Sequence, residues 1–172
     1  SPVHLANATE IKNRFSDKHF DFIIFFASLE HMTHAERMIA MRDAWDMLPA
    51  GGLLCVIETP NRLWLRDPHT SRLPFFHWLP DDLAFDYSRF SPRTIVRDAR
   101  ADASEESRLA FLRMGRGVSF HEFELTMKPL SQLHVVSSKS DFYRSRSALN
   151  WLAWRFSADA RYESLLSDAC PG

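Results

Sequence analysis

The chain has 172 residues, 45% hydrophobic and 13% aromatic, with 21 basic and 22 acidic side chains and a formal net charge of -1. This composition suits one globular domain with a sizeable core, and it lacks the basic excess of a nucleic-acid footprint. Its longest apolar runs, 22–29 and 53–57, are too short to span a bilayer. No charged segment followed by an apolar one opens the sequence, so no signal peptide is read there. Without an initiator Met, the sequence reads as cut from something longer. Cys55 and Cys170 do not make a disulfide framework, and the expected location is the cytoplasm.

Residues 21–28 (DFIIFFAS) form a continuous apolar run, as in a strand buried on both faces at the centre of a parallel sheet. Thr33 and Glu36 then have capping-box spacing. Met38, Met41, Trp45 and Leu48 follow at helical intervals, and Pro49-Ala50-Gly51-Gly52 stops the helix. Residues 53–59 (LLCVIET) predict a second buried strand, ended by Pro60. Strand, helix and strand make one right-handed crossover, the unit of a doubly wound sheet.

Between 60 and 90, Pro60, Pro68, Pro74 and Pro80 alternate with Trp64, Phe75, Phe76, Trp78, Phe85 and Tyr87. That texture predicts an ordered, aromatic-rich excursion from the end of the second strand. Ser91-Pro92 starts a helix, residues 102–105 offer another capping box, and Gly115 offers a stop. The arginines between 93 and 116 alternate with acidic residues, which reads as a solvated face. Residues 118–127 and 133–138 are expected as two strands joined by a turn at Lys128-Pro129. A short amphipathic helix is expected over 148–156, with a helical tail beyond it. The fold class is α/β, with a single domain over 1–172. Its parts are a strand–helix–strand core (1–60), an aromatic loop with helices (61–117) and a terminal strand pair with helices (118–172).

Asn7-Ala8-Thr9-Glu10, then Phe20-Asp21-Phe22-Ile23-Ile24 and Leu29-Glu30-His31-Met32, resemble the middle of class I S-adenosylmethionine-dependent methyltransferases. The family pattern there is an acidic-or-Asn plus Ala pair, an F-D-hydrophobic run, then L-E-H. Residues 45–54 (WDMLPAGGLL) are similar to its L-x-P-G-G helix-to-strand stretch. The texture is that of small-molecule methyltransferases of the ubiquinone-biosynthesis-like type. The resemblance covers roughly 3–62 and fits the strand pair near the end.

The resemblance implies the later strands of a Rossmann-like sheet, the last pair antiparallel, flanked by helices and with the first strands missing. It implies S-adenosylmethionine as the cofactor of the complete enzyme. The family's G-x-G-x-G turn and ribose-binding acid belong N-terminal to Asn7. Gly115-Arg116-Gly117 follows a helix and cannot replace that turn. By the same resemblance Asn7 and Ala8 sit where adenine is packed and hydrogen-bonded, although Asn7 also reads as a turn residue.

Ala27, Ser28 and Leu29 lie at a strand's carboxyl end, where ligands bind in open α/β sheets. Their small side chains suit either the cofactor sulfonium or close helix packing. His31 is the candidate general base for an oxygen acceptor, with a capping or loop role as the alternative. Glu30, Arg62, Trp64, His69, His77 and Trp78 are candidate substrate residues. Arg62 would steer an anionic group and the aromatics would cover an apolar or ring-bearing acceptor; the alternative is an Ω-like loop burying its own rings. The spacing of His31, His69 and His77 matches no common zinc pattern, so no metal is expected. Cys55 reads as a buried small hydrophobe.

The expected partner is a small-molecule acceptor, with no nucleic acid and no membrane span. Missing front strands would leave a sheet edge open to a second copy or a partner chain. On that reading the protein is a non-catalytic methyltransferase-like subunit.

Overall fold

The two apolar runs lie side by side as strands β1 (Phe22–Phe26) and β2 (Leu53–Ile57). The computed structural model describes residues 3–100, 102, 104–137, 147–149 and 152. The strands are parallel, in register from Phe22 opposite Leu53 to Phe26 opposite Ile57. They are preceded by the short helix α1 (Ile11–Arg14) and joined by α2 (His34–Asp46). Among the described residues the chain is a mixed α/β structure with this two-stranded sheet and six α-helices, none long and apolar enough to cross a membrane.

The capping box forms as the sequence predicts. Thr33 Oγ1 accepts from the Glu36 N–H at 3.3 Å, and Glu36 Oε2 accepts from the Thr33 N–H at 2.9 Å. Thr33→Ala removes an acceptor from the first turn of α2 and is expected to lower stability by about 1 kcal/mol, read from the urea midpoint. The buried stripe of α2 is Arg37, Ala40, Met41 and Ala44. Of the expected stripe, Met41 is buried, while Met38, Trp45 and Leu48 flank it. Two alanines on the inner face let the helix approach the sheet closely. There α2 packs with Phe25, Leu29 and Val118, and with Ile23, Leu54 and Val56 at the margin.

The strands were expected to be buried on both faces, and among the described residues they are covered on one. Side chains alternate across a strand, so Ile23 and Phe25 meet α2 while Phe22, Ile24 and Phe26 face the other way. Phe22 and Phe26 are each 56% exposed, and Ile24, Leu53 and Ile57 are also exposed.

The 60–90 excursion builds a second core. Its elements are a 3-10 turn (Phe76–Trp78), α3 (Asp81–Tyr87), α4 (Thr94–Asp98) and α5 (Glu105–Leu112). Leu73, Phe76, Ala84, Phe85, Val96 and Phe111 are buried together, with Phe111 edge-on to Phe85 and Phe76. Helix α4 starts at Thr94, because Ser91 Oγ is engaged in a turn, accepting from the Arg93 N–H and donating to the Ser71 carbonyl. The cap of α5 is Ser104, accepting from the Ser107 N–H at 3.2 Å, and Asp102 in turn accepts from the Ser104 N–H.

The strand expected over 118–127 is a helix. Val118 makes one parallel bridge to Asn61, and α6 (Phe120–Thr126) follows at once. The Ser119–Glu122 capping box starts that helix, and Phe123 and Met127, four apart, both pack on the first core. Residues 133–137 are not a strand either, so no antiparallel strand pair occurs among the described residues, where the one antiparallel contact is an isolated bridge between Arg66 and Pro74. Of the helix expected over 148–156, Ala148, Leu149 and Leu152 are described and are helical. The rest of it, with the tail, lies outside the described residues.

Candidate functional site

At the carboxyl end of β1 the chain turns sharply. Ala27 takes φ 43°, with its N–H donating to the Ile57 carbonyl at 2.9 Å. Ser28 Oγ is buried without a hydrogen-bond partner. A 3-10 turn (Leu29–His31) follows, sending Leu29 into the core and leaving Glu30 and His31 over the strand end.

Glu30 is completely buried. Its Oε2 accepts from Thr59 Oγ1 at 3.3 Å, just past the end of β2. Its Oε1 has no hydrogen-bond partner and stands 3.8 Å from His31 Nε2. The His31 side chain is 42% exposed. Its Nδ1 lies 2.8 Å from the Arg113 carbonyl oxygen. A carbonyl only accepts, so the proton sits on Nδ1 and the Nε2 lone pair is free. Arg113 also donates to Glu36 Oε1 at 2.6 Å, which ties the end of α5 to the start of α2.

His69 arrives from the aromatic excursion. The Asp67 carboxylate, fully buried, folds this turn: Oδ1 accepts from the His69 and Thr70 N–H groups at 2.8 and 2.9 Å, and Oδ2 accepts from the Ser71 N–H and hydroxyl. Burial works to raise the Asp67 carboxyl. The His77 ring and the N–H groups of Ser71 and Thr70 outweigh it and hold the group below the usual carboxylate range. His69 Nδ1 lies 3.0 Å from Thr70 Oγ1. The Thr70 hydroxyl donates to the Gly115 carbonyl at 2.9 Å, so its oxygen accepts from His69 Nδ1–H and the His69 Nε2 is free. The His31 and His69 rings come to 5.8 Å between centroids. Gly115, at φ 125°, permits this approach, since a Cβ there would stand 2.7 Å from Thr70 Oγ1 and 2.9 Å from His69 Nδ1.

The other predicted residues fall in different places. Asn7 Oδ1 accepts from the Thr9 N–H and hydroxyl, capping a 3-10 turn (Ala8–Glu10), and Ala8 packs at the margin of the first core. His77 is buried, not on a ligand surface: its Nδ1 accepts from the Gly117 N–H at 3.0 Å and its Nε2 lies 3.1 Å from Asp67 Oδ1. Arg62 lines a groove with Asp81, Ser119 and His121. Trp64 is half-buried. Trp78 is exposed and meets Phe75 edge-on at 5.1 Å.

Two buried arginines escape a reading by sequence. Arg116 donates to the Phe76 and Leu79 carbonyls and to Asp81. Burial draws its guanidinium down to about 10, with Asp81 opposing, so it stays charged at neutral pH. Arg37 pairs with Glu122 at 3.0 Å. Arg116 belongs to the 93–116 stretch that reads as a solvated face, and Arg37 lies on α2; only the tertiary contacts show that both are inside.

The structure thus brings together one buried carboxylate and two imidazoles with free lone pairs, a set able to take up protons or ligate a cation. Scanned against protein-family models, curated proteins and solved structures, the chain matches none of them.

Proposed function

We propose that this chain is the later part of a class I S-adenosylmethionine-dependent methyltransferase domain acting on a small-molecule acceptor. The supporting observation is the placement of Glu30 and His31 at the carboxyl end of β1, with Glu30 hydrogen-bonded to Thr59 beyond β2, within a parallel strand–helix–strand unit. Open α/β sheets bind ligands at that end.

The residues present fit the cofactor only in part. Ala27 and Ser28 keep the strand end small, but Asn7 Oδ1 is engaged by Thr9. No residue of this sequence matches the glycine turn or the ribose acid. Cofactor binding therefore belongs, on this reading, to a longer chain.

His31 supplies the proton chemistry. Its free Nε2 accepts the proton of an acceptor hydroxyl, the Arg113 carbonyl fixes the ring, and Glu30 Oε1 stands 3.8 Å from that nitrogen. Trp78, Phe75 and Arg62 are the side chains proposed to cover and steer the acceptor.

S-adenosylhomocysteine titrated calorimetrically is expected not to bind the present chain and to bind a version extended upstream in its gene at micromolar concentration. An extended version that binds none of it defeats the reading. In that extended enzyme His31→Ala is expected to reduce kcat by about 100-fold, with S-adenosylhomocysteine affinity unchanged. Equal losses in both would argue for a structural role.

The face of β1 and β2 that no described residue covers favours a second reading, a non-catalytic subunit that associates through its sheet. It calls for a stable dimer or heterocomplex in light scattering, and a well-behaved monomer would count against it.

A further inference from the structure

We propose that Glu30, His31 and His69 form a binding site for a divalent first-row transition-metal ion. The site shares Glu30 and His31 with the methyl-transfer reading but does not depend on that reading being right.

Each of the three residues offers one ligating atom, and these atoms all lie within 4.8 Å of one another. Proximity alone would be a weak argument, because polar side chains often cluster. The state of Glu30 makes it stronger. The residue is 0% exposed, and Oε1 has no hydrogen-bond donor. A buried carboxylate oxygen with nothing to accept is unfavourable, and native structures complete such atoms with a water, an ion or a proton donor. The nearest candidate donor, His31 Nε2, is 3.8 Å away, beyond hydrogen-bond length. Its ring proton is already committed to the Arg113 carbonyl through Nδ1.

The two imidazoles are also held as metal-binding imidazoles are. A ligating histidine usually gives its second ring N–H to a carbonyl, carboxylate or other oxygen, which fixes the tautomer and aims the free nitrogen. His31 gives Nδ1–H to the Arg113 carbonyl, and His69 gives Nδ1–H to Thr70 Oγ1. These supports have separate origins: Arg113 follows α5, while Thr70 is fixed by the Asp67 turn and by the Gly115 carbonyl. Both arrangements leave Nε2 as the free lone pair.

Two imidazoles and one carboxylate suit Zn²⁺, Co²⁺, Mn²⁺ or Fe²⁺ and leave further positions for water or an oxygen ligand. Metal–ligand bonds of about 2.0–2.2 Å require the three atoms to draw together by about an ångström. His31 and His69 are partly exposed, so rotation of their side chains can supply that movement. An ion on His31 Nε2 uses the lone pair that would otherwise accept a proton, so the two roles exclude each other at any moment.

Calorimetric titration of the full chain with Zn²⁺ is expected to show one site of micromolar or tighter affinity, with Co²⁺ giving visible absorption bands of nitrogen and oxygen ligation. His69→Ala and Glu30→Gln are each expected to weaken Zn²⁺ binding at least tenfold, while the exposed His19→Ala leaves it unchanged. Zn²⁺ should also raise the melting temperature of the parent chain and not that of His69→Ala, a partly exposed position whose loss does not threaten the fold. Absence of a stoichiometric site, or Zn²⁺ affinity and melting shift retained in His69→Ala, would overturn the assignment.

Discussion

Glu122→Gln is expected to lower the free energy of unfolding by about 3–5 kcal/mol. Both oxygens of Glu122 accept from Arg37 Nη1, at 3.2 and 3.0 Å, and Oε1 also accepts from the Ser119 N–H that opens α6. The Arg37 and Glu122 side chains are 3% and 5% exposed. Glutamine keeps the shape but carries no charge and places an amide donor against groups that are themselves donors. Arg37 would then be a buried cation with no anion beside it, left with the Gly117 and Met32 carbonyls and at most the single amide oxygen of the glutamine. Burial already pulls its guanidinium below the usual value, with Glu122 opposing. Urea denaturation measures the loss. Replacing both residues by methionine is expected to do less harm than the sum of the single changes, because no unpaired charge remains. A Glu122→Gln chain within about 1 kcal/mol of the parent would mean that water reaches the pair, since exposed pairs contribute only that much.

Asp67→Asn is the second large effect, expected to cost about 3 kcal/mol. Four backbone and hydroxyl donors converge on this carboxylate, two on each oxygen, and His77 Nε2 stands 3.1 Å from Oδ1 as well. An amide in its place satisfies one pair and presents N–H groups to the other, leaving a buried donor without an acceptor. The damage extends beyond stability, because the same hydrogen bonds place His69. Under conditions where the variant is still folded by circular dichroism, its Zn²⁺ affinity is expected to fall at least tenfold. Unchanged stability would show that the 67–71 turn is held by its neighbours and not by this carboxylate.

The strand–helix–strand unit was legible because its signals are local. An apolar run, a Thr-x-x-Glu cap and a Pro-x-Gly-Gly stop act within a few residues, and each lies where it was expected. Coverage of the sheet was not legible, since Phe22, Ile24 and Phe26 have the same sequence whether or not something rests on them. Residues 118–127 misled for a related reason. Val118 and Phe120, then Phe123, Leu125 and Met127, alternate with polar residues like a strand, yet Ser119 and Glu122 also have cap spacing, and packing of Phe123 and Met127 on α2's core settles the competition for a helix.

The site divides the same way. Glu30 and His31 stand out as polar residues directly following a buried strand. His69 carries no such mark, and its meeting with Glu30 depends on Asp67 folding a turn and on Gly115 making room for it. The Asp67-Pro68-His69-Thr70 spacing, a carboxylate followed by backbone donors two and three residues on, was the available clue. His77 was read as a candidate substrate residue, and its environment is the interior, beside Asp67 and Gly117.

The face of β1 and β2 left open by the described residues also bears on how the fold responds to temperature. Phe22, Ile24, Phe26, Leu53 and Ile57 are already partly hydrated in the native chain, so unfolding hydrates less new apolar surface there. The heat-capacity increment should therefore fall below the roughly 12–15 cal/mol/K per residue of closed domains, giving a shallower stability curve. A segment that docks on this face would restore the missing curvature, and the unfolding enthalpy would then rise more steeply with temperature.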